Sequence, residues 1–236
     1  MIGLMKLELQ KHTIHTFIRS SIIITIIMIG LIFLFAYAPY LEPTDSDLLI
    51  FSTYSNTIKL YGAVNMAVFC VFSCVIYSRF IIEAYKGKQL ILLFSYPVNH
   101  KKILLSKIVT VVIITSLSML ISNVFVFSIF YISEAIHPIV ADKFTMHVLV
   151  ETVKTSLIMV ITSTSLSLIA TGIGFYTKSV PSTIITGVIL SSISCNIAFY
   201  SLNEDIIFLL YMFTSLVVST VTILWLISKV NKLEVL

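Results

Sequence analysis

Charged residues are scarce in this sequence. Of its 236 residues, 15 are Lys or Arg and 11 are Asp or Glu, together 11% of the chain, whereas a soluble domain typically has about 25%. This composition excludes a disordered chain and a basic nucleic-acid-binding domain, and it is not that of an ordinary cytosolic enzyme. Hydrophobic residues reach 58%. We therefore predict a protein that crosses a membrane several times and has no nucleic-acid partner.

Glycine, proline and cysteine are scarce as well. The 7 Gly and 5 Pro are too few for a fibrous or low-complexity chain. All three cysteines, Cys70, Cys74 and Cys195, lie in apolar stretches, so the sequence implies no disulfide framework. Cys70 and Cys74 share a helix face, but no further soft ligand lies near them in the sequence. We expect them to pack as small apolar side chains rather than to bind a metal.

Six apolar stretches are long enough to cross a bilayer as helices, which takes about 20 residues each. They lack the alternation over about ten residues that is typical of a membrane β-barrel. The first stretch is too long for the apolar part of a typical signal peptide, so we expect it to be retained. The predicted fold class is all-α, one domain over residues 1–236, with spans at about 20–38, 61–82, 108–133, 155–176, 180–200 and 206–228.

The Lys and Arg residues lie mainly on one side of these spans. One side, formed by residues 1–19, 79–107, Lys178 and the C-terminal tail, has 12 basic residues, and the other side has three. Because basic loops of membrane proteins stay in the cytoplasm, both termini are predicted to be cytoplasmic. The same distribution accounts for the net charge of +4 without a nucleic-acid partner. The external segments 39–60 and 134–154 each have room for a short helix.

No catalytic or phosphate-binding motif is present in the sequence. It has no G-x-x-x-x-G-K phosphate loop, no H-E-x-x-H zinc motif and no G-x-S-x-G nucleophile motif. His137 and His147 share the second external segment with three acidic residues, but a solvated loop is a more ordinary interpretation than a metal site. We therefore predict that the chain is not an enzyme by itself and that it has no metal site.

No charged residue lies deep within a predicted span, which argues against an ion-coupled carrier and excludes an Arg-based voltage sensor. The polar residues in the spans are Ser, Thr and Asn, which ordinarily allow helices to pack closely and to hydrogen-bond. A second interpretation is that some of these residues line a substrate path. The candidates for that path are Asn123, Ser194 and Asn196.

The cytoplasmic segment between the second and third spans combines charged and apolar side chains. Charged residues come first and a Leu-rich stretch follows them. Pro97 ends this stretch, because a proline disfavours helical geometry at the residue before it. We predict a helix that lies across the cytoplasmic face. It is either an interfacial helix beside basic anchors or a docking helix for a soluble partner.

This segment resembles the corresponding part of the ABC-2 type ABC transporter permeases. In that family the stretch begins with Glu, continues through a Gly-containing turn and a Leu-rich piece to a Pro, and leads to a basic start of the third span. The matching elements here are Glu83, Gly87, Leu90 to Leu93, Tyr96-Pro97 and Lys101 to Lys107. The N-terminal residues 1–19, with Glu8, Lys11 and Arg19, also look like the family's interfacial connecting helix.

The resemblance implies a permease subunit in the bacterial plasma membrane. It would pair with a second permease subunit, the same chain or a related one, and with two cytoplasmic P-loop ATPases. ATP and Mg would be bound by the ATPases, and this chain would bind no cofactor. A coupling helix at roughly residues 83–95 would dock in a groove of the ATPase. The residues assigned to coupling in this way are Glu83, Lys86, Gly87, Lys88, Gln89, Leu90, Leu93, Phe94, Tyr96 and Pro97.

The substrate that the resemblance favours is an amphipathic peptide, toxin or antimicrobial compound that is exported. Small Ile- and Ser-rich permeases of this family are similar to those of lantibiotic-immunity systems and exporters of phenol-soluble modulins. Because function must be argued from a site rather than from a fold, two other hypotheses stay open. One is a substrate-binding membrane subunit or ion-coupled carrier, and the other is a membrane sensor or assembly protein that transports nothing.

Overall fold

The computed structural model describes residues 14–41, 53–86, 100–137, 139–140, 145–202 and 205–234. Within these ranges the regular structure is helical and there is no strand, so the all-α prediction is confirmed. Six helices are long and apolar enough to cross a membrane. They are α1 (Ile14–Leu41), α2 (Tyr54–Tyr77, continued by a π-helical turn at Ser78–Ile82), α3 (His100–Ile136), α4 (Met146–Thr177), α5 (Val180–Tyr200) and α6 (Asp205–Glu234).

The helices extend beyond the apolar stretches that predicted them. Residues 54–60 and 146–154 were expected in the external segments, parts of which lie outside the described residues. They form the first turns of α2 and α4. The apolar pattern stops early because these turns contain Lys59 and Glu151, whose charges are paired with each other. Near the N-terminus, residues 14–19 are part of α1 and do not form a separate helix.

The helices α2 and α4 form the centre of the bundle. Helix α2 packs against α4 and α5, and α4 also packs against α6. Helices α1 and α6 lie at the periphery and expose many large apolar side chains. Apolar side chains thus face outward around a more buried centre. This is the arrangement of a helical bundle whose outer surface is covered by lipid.

Small residues bring the central helices close together. A Cβ placed on Gly187 in α5 would lie 2.5 Å from the Sγ of Cys74 in α2. Cys70 and Cys74 are both fully buried and form a cluster with Leu166 and Ala170 of α4. The packing role expected for these two cysteines is therefore what the structure shows.

Most of the buried hydroxyls of α4 are satisfied within their own helix. Thr162, Ser165 and Thr171 each donate to the carbonyl oxygen four residues earlier, at 2.7 to 2.8 Å. Such back-bonding removes the cost of an unpaired hydroxyl in an apolar surrounding. These residues can therefore face neighbouring helices without needing a partner there, which agrees with a packing role.

The link between α4 and α5 is very short, as the sequence predicts. Lys178 adopts a left-handed conformation with φ of 50°, and the Ser179 amide donates to the Gly174 carbonyl at 3.2 Å. This arrangement is a common way to end a helix. Pro181 follows in the first turn of α5, where its missing amide hydrogen costs nothing.

Helices α2 and α3 run antiparallel with a constant register. Their facing pairs are Tyr54 with Glu134, Tyr61 with Phe127, Asn65 with Asn123, and Phe80 with Lys107. Contacts of α2 with α4 and α5, and of α6 with α4 and α5, show that the other successive helices also alternate in direction, so that their ends meet in two opposite layers. We call the layer that contains Arg79, Lys107 and Lys178 the basic end, and the layer that contains Glu134 and Glu151 the acidic end.

Candidate functional site

The basic end holds a buried lysine at the base of the segment that joins α2 to α3. Lys107 is only 1% exposed, and its Nζ donates to the carbonyl oxygen of Phe80 at 2.9 Å. A buried ammonium is costly unless it is hydrogen-bonded. Phe80 lies in the π-helical turn that ends α2, so this bond joins the end of α2 to the start of α3.

Aromatic contacts connect the same base to two more helices. The ring of Tyr85 meets that of Phe175 in α4 edge-on, with centroids 5.3 Å apart. The ring of Phe80 contacts Phe17 in α1, with centroids 6.0 Å apart. Ile81 and Ile82, which follow Phe80, are buried. The start of the joining segment is therefore packed against α1, α3 and α4 together.

Two predicted coupling residues, Glu83 and Lys86, are exposed at this base. They belong to a turn in which the Lys86 amide donates to the Glu83 carbonyl at 3.3 Å and the Glu83 amide donates to the Ser78 carbonyl at 3.0 Å. The predicted coupling helix was expected to begin at Glu83, whereas residues 83–86 form a turn that continues from the π-helical turn. The sequence signal for this turn is weak, because nothing in it distinguishes a π-helical from an α-helical end.

The other residues assigned to coupling lie outside the described residues, and so do two of the three residues named in the interfacial helix. Arg19, the third, is exposed on α1. The predicted coupling and interfacial residues on which the structure is silent are Gly87, Lys88, Gln89, Leu90, Leu93, Phe94, Tyr96, Pro97, Glu8 and Lys11.

The acidic end contains a buried carboxylate that sequence reasoning placed in a loop. Glu134 is 6% exposed and accepts hydrogen bonds from the Tyr54 hydroxyl at 2.7 Å and from the amides of Ile139 and Val140 at 3.2 and 3.4 Å. It thereby joins the start of α2, the end of α3 and the chain that follows α3. One feature of the sequence could have indicated that Glu134 belongs to the helix. It directly follows an apolar run, and an acidic residue at that position can form the last turn of the helix.

A second set of polar contacts at the acidic end joins the start of α2 to two further helix ends. Ser55 donates to a Glu151 carboxylate oxygen at 2.5 Å, and the Lys59 ammonium lies 3.7 Å from the same oxygen. Lys59 also donates to the Leu202 carbonyl, just after α5, at 2.9 Å. These contacts hold the starts of α2 and α4 to the end of α5.

The histidines of the second external segment do not join these contacts to form a metal site. His137 and His147 are exposed, and Glu134 and Glu151 are used by the bonds described above. Among the described residues, no group of three or more His, Cys, Asp or Glu side chains is placed to hold a metal ion.

The three residues proposed to line a substrate path occupy three different environments. Asn123 of α3 is buried and accepts a hydrogen bond from the Asn65 side chain of α2 at 2.7 Å. Ser194 of α5 is fully buried and shares a hydrogen bond of 2.6 Å with the Tyr211 hydroxyl of α6. Asn196 is exposed and donates to the Ser192 carbonyl of its own helix at 2.9 Å. The structure therefore does not bring the three together.

Asn123 also lines a groove between α3 and α4 with a volume of about 450 Å³, which is in the range of small-molecule sites, about 300–1,000 Å³. The hydroxyl of Tyr131 is hydrogen-bonded to that of Thr152 across the groove near the acidic end. The lining carries no charged side chain. It consists of Leu120, Asn123, Val124, Phe127, Ser128, Tyr131, Leu149, Thr152, Val153, Ser156 and Leu157.

The fold and these contacts define an all-helical chain of the kind found in multi-pass membrane proteins, with polar contacts at both ends and a lateral groove. Comparison with known proteins adds one relative. The chain is 26% identical over 189 residues to Uncharacterized protein YcbO of Bacillus subtilis (strain 168), which covers 80% of this chain and 81% of that protein. No family model matches the sequence. No solved structure matches it either.

Proposed function

We propose that this chain is the permease subunit of an ATP-driven ABC exporter that moves an amphipathic peptide, toxin or antimicrobial compound across the bacterial plasma membrane. The energy comes from ATP hydrolysis on a separate cytoplasmic P-loop ATPase. The observation that carries the proposal is the base of the joining segment at the basic end, where exposed Glu83 and Lys86 follow residues packed against α1, α3 and α4.

This base is suited to transmit a push from the cytoplasm into the bundle. A partner that moves the joining segment acts first on the π-helical turn, and the Lys107 bond and the Tyr85 ring contact pass that movement on to α3 and α4. Packed helices respond to such a displacement as rigid bodies, because cores have discrete packed arrangements. A segment that only anchored the chain at the membrane surface would not need these buried connections.

The distribution of charge supports an energy source outside the chain. Within the described residues, the buried or half-buried charged groups, Lys59, Lys107, Glu134 and Glu151, all lie within about two turns of a helix end. Carriers driven by ions or protons usually keep charged residues near the middle of the membrane. An uncharged middle also suits an amphipathic cargo better than a highly charged one.

The topology follows from the same distribution. The basic end faces the cytoplasm by the positive-inside rule, which places both termini and the docking surface on the side where an ATPase would bind. The complete transporter contains a second permease subunit, either another copy of this chain or a related one.

The deciding experiment is gentle extraction of the full chain into nanodiscs together with any ATPase that accompanies it, followed by measurement of ATP hydrolysis. Glu83→Gln and Lys86→Gln are compared with Lys229→Gln, which removes an exposed charge from α6 instead of from the turn at residues 83–86. We expect ATPase retention or stimulated hydrolysis to fall in the first two variants and to be unchanged in the third. Equal behaviour of all three variants, or no associated ATPase with the wild-type chain, would contradict the proposal.

Failure would favour one of the other two hypotheses, and a second measurement separates them. An ion-coupled carrier transports its substrate in proteoliposomes without any ATPase and is indifferent to Glu83→Gln. A sensor or assembly protein binds a partner through the joining segment, but stimulates no hydrolysis and moves no substrate.

A further inference from the structure

The groove between α3 and α4 occupies one half of the bundle. Its α3 lining begins at Leu120 and ends at Tyr131, which is about 16 Å at 1.5 Å per residue. That length is about half of the 30 Å hydrocarbon core. Asn123 lies near the middle of α3, and the Tyr131 and Thr152 hydroxyls lie towards the acidic end. The groove therefore has the length of a single leaflet, the leaflet at the acidic end.

The groove opens sideways, towards the surface that a bilayer would cover. Val124 and Val153 on its walls are 66% and 61% exposed, and Leu157 is 48% exposed. A molecule dissolved in the leaflet can reach this groove without crossing a packed helix interface. Its apolar walls suit a hydrocarbon chain.

The groove also contains hydroxyls that lack a partner. Most buried hydroxyls of α4 donate to their own helix, whereas the groove-lining Ser128, which is exposed, and Ser156, which is half-buried, have no hydrogen bond to the described part of the chain. An unpaired hydroxyl that faces hydrocarbon is unfavourable, because no water is present to satisfy it. Ser128, Ser156 and the Asn123 amide are uncharged polar groups on otherwise apolar walls.

We infer that this groove binds a single-chain amphiphile with an uncharged, hydrogen-bonding headgroup, its chain along Leu120, Val124 and Leu157 and its polar group at the hydroxyls of the acidic half. The amphiphile enters from the leaflet at the acidic end. Binding needs only the folded chain and no ATPase, so this inference stands or falls separately from the proposed transport function.

The test uses a palmitoyl monoacylglycerol that carries a diazirine in its chain, with the full-length protein in phosphatidylcholine nanodiscs. Photolabelling is mapped by mass spectrometry and competed with unlabelled monopalmitoylglycerol. We expect saturable labelling of the α3 and α4 segments that line the groove. Labelling that cannot be competed, or that is equal along all outward faces, would show ordinary surface lipid and would overturn the inference.

Helix α3 offers a matched pair of variants. Val124 lines this groove, while its neighbour Phe125 lines a different groove between α1 and α3, and both side chains are largely exposed. Val124→Trp should fill the α3–α4 groove and raise the half-saturating probe concentration about tenfold, which corresponds to about 1.4 kcal/mol. Phe125→Trp should leave it unchanged. Equal effects of the two variants would contradict the inference.

A milder variant tests the headgroup and covers the case in which Val124→Trp does not fold. Ser128→Ala with Ser156→Ala removes both unpaired hydroxyls and keeps the groove open. This variant should lose the preference for the monoacylglycerol over a photoreactive alkane of the same length, whereas Ser118→Ala in the α1–α3 groove should keep it. A preference that persists without Ser128 and Ser156, or equal labelling by a photoreactive lysophosphatidylglycerol, would contradict an uncharged headgroup site.

Discussion

Asn65 and Asn123 form a direct side-chain hydrogen bond of 2.7 Å between α2 and α3, and both residues are buried near the middle of the bundle. Facing amides at this depth have few other partners, so the bond fixes the register of two helices whose ends are held by other contacts. Asn123 of this pair also lines the α3–α4 groove.

The contribution of this hydrogen bond to the free energy of unfolding can be measured by a double-mutant cycle. Asn65→Leu and Asn123→Leu should each lower the unfolding temperature in detergent, because each leaves the other amide unpaired in an apolar surrounding. The double variant should be destabilised by less than the sum, with a coupling of about 1 kcal/mol, a typical value for hydrogen bonds between membrane helices. Asn196→Leu, at an exposed asparagine, serves as the control. Additive effects in the cycle would show that the bond does not contribute.

The Glu134 carboxylate should be a strong contributor to the structure of the acidic end. Tyr54→Phe removes one donor to this carboxylate and should cost about 1.5–3 kcal/mol, the value for hydrogen bonds to charged groups. Tyr37→Phe, at an exposed tyrosine near the same end, should have little effect. Thermal unfolding in detergent measures both. If Tyr54→Phe and Glu134→Gln are fully additive in the double variant, the hydroxyl and the carboxylate do not act together.

The Lys107 bond to the Phe80 carbonyl should be required for an ordered π-helical turn. Lys107→Met keeps the length of the side chain but removes its donor, and the loss of a hydrogen bond from a charged group should cost about 1.5–3 kcal/mol. Lys101→Met changes an exposed lysine of the same helix and should be neutral. Hydrogen exchange at residues 78–86 measures the turn locally, and equal protection in the two variants would contradict a specific role for Lys107.

Close packing of α5 against α2 predicts that Gly187 tolerates no side chain. Gly187→Ala should destabilise the protein by about 1–3 kcal/mol through overpacking, because its Cβ would clash with Cys74. Gly30→Ala, where no atom lies within 4 Å of the added Cβ, is the matched control. Adding Cys74→Ala should restore part of the lost stability. If the unfolding temperature of the double variant does not recover, the clash is not with the cysteine.

The orientation of the bundle predicts the accessibility of single cysteines. In a chain whose three native cysteines are replaced by Ala, His147→Cys should react with an impermeant maleimide in intact cells. Lys86→Cys should react only after permeabilisation if the basic end faces the cytoplasm, as the positive-inside rule predicts. Both positions are exposed. Labelling of Lys86→Cys in intact cells would reverse the topology.

The helical fold class and the number of long apolar helices could be predicted from the sequence, because runs of about 20 apolar residues are local features that the bilayer itself demands. The short link at Lys178 and the separation of basic from acidic loops are local in the same sense. The packing role of Cys70 and Cys74 could also be predicted, since their neighbours in sequence are apolar.

Only the tertiary structure decided which polar residues meet. Glu134 and Lys59 read as loop charges because sequence shows neither Tyr54 opposite the first nor Glu151 beside the second. Asn123 and Ser194 had the same appearance in sequence, yet one pairs across α2 and α3 and the other across α5 and α6. Such pairings depend on the register and rotation of each helix. Because the apolar surfaces of the helices are similar, the sequence does not determine these, and the packing of specific side chains does.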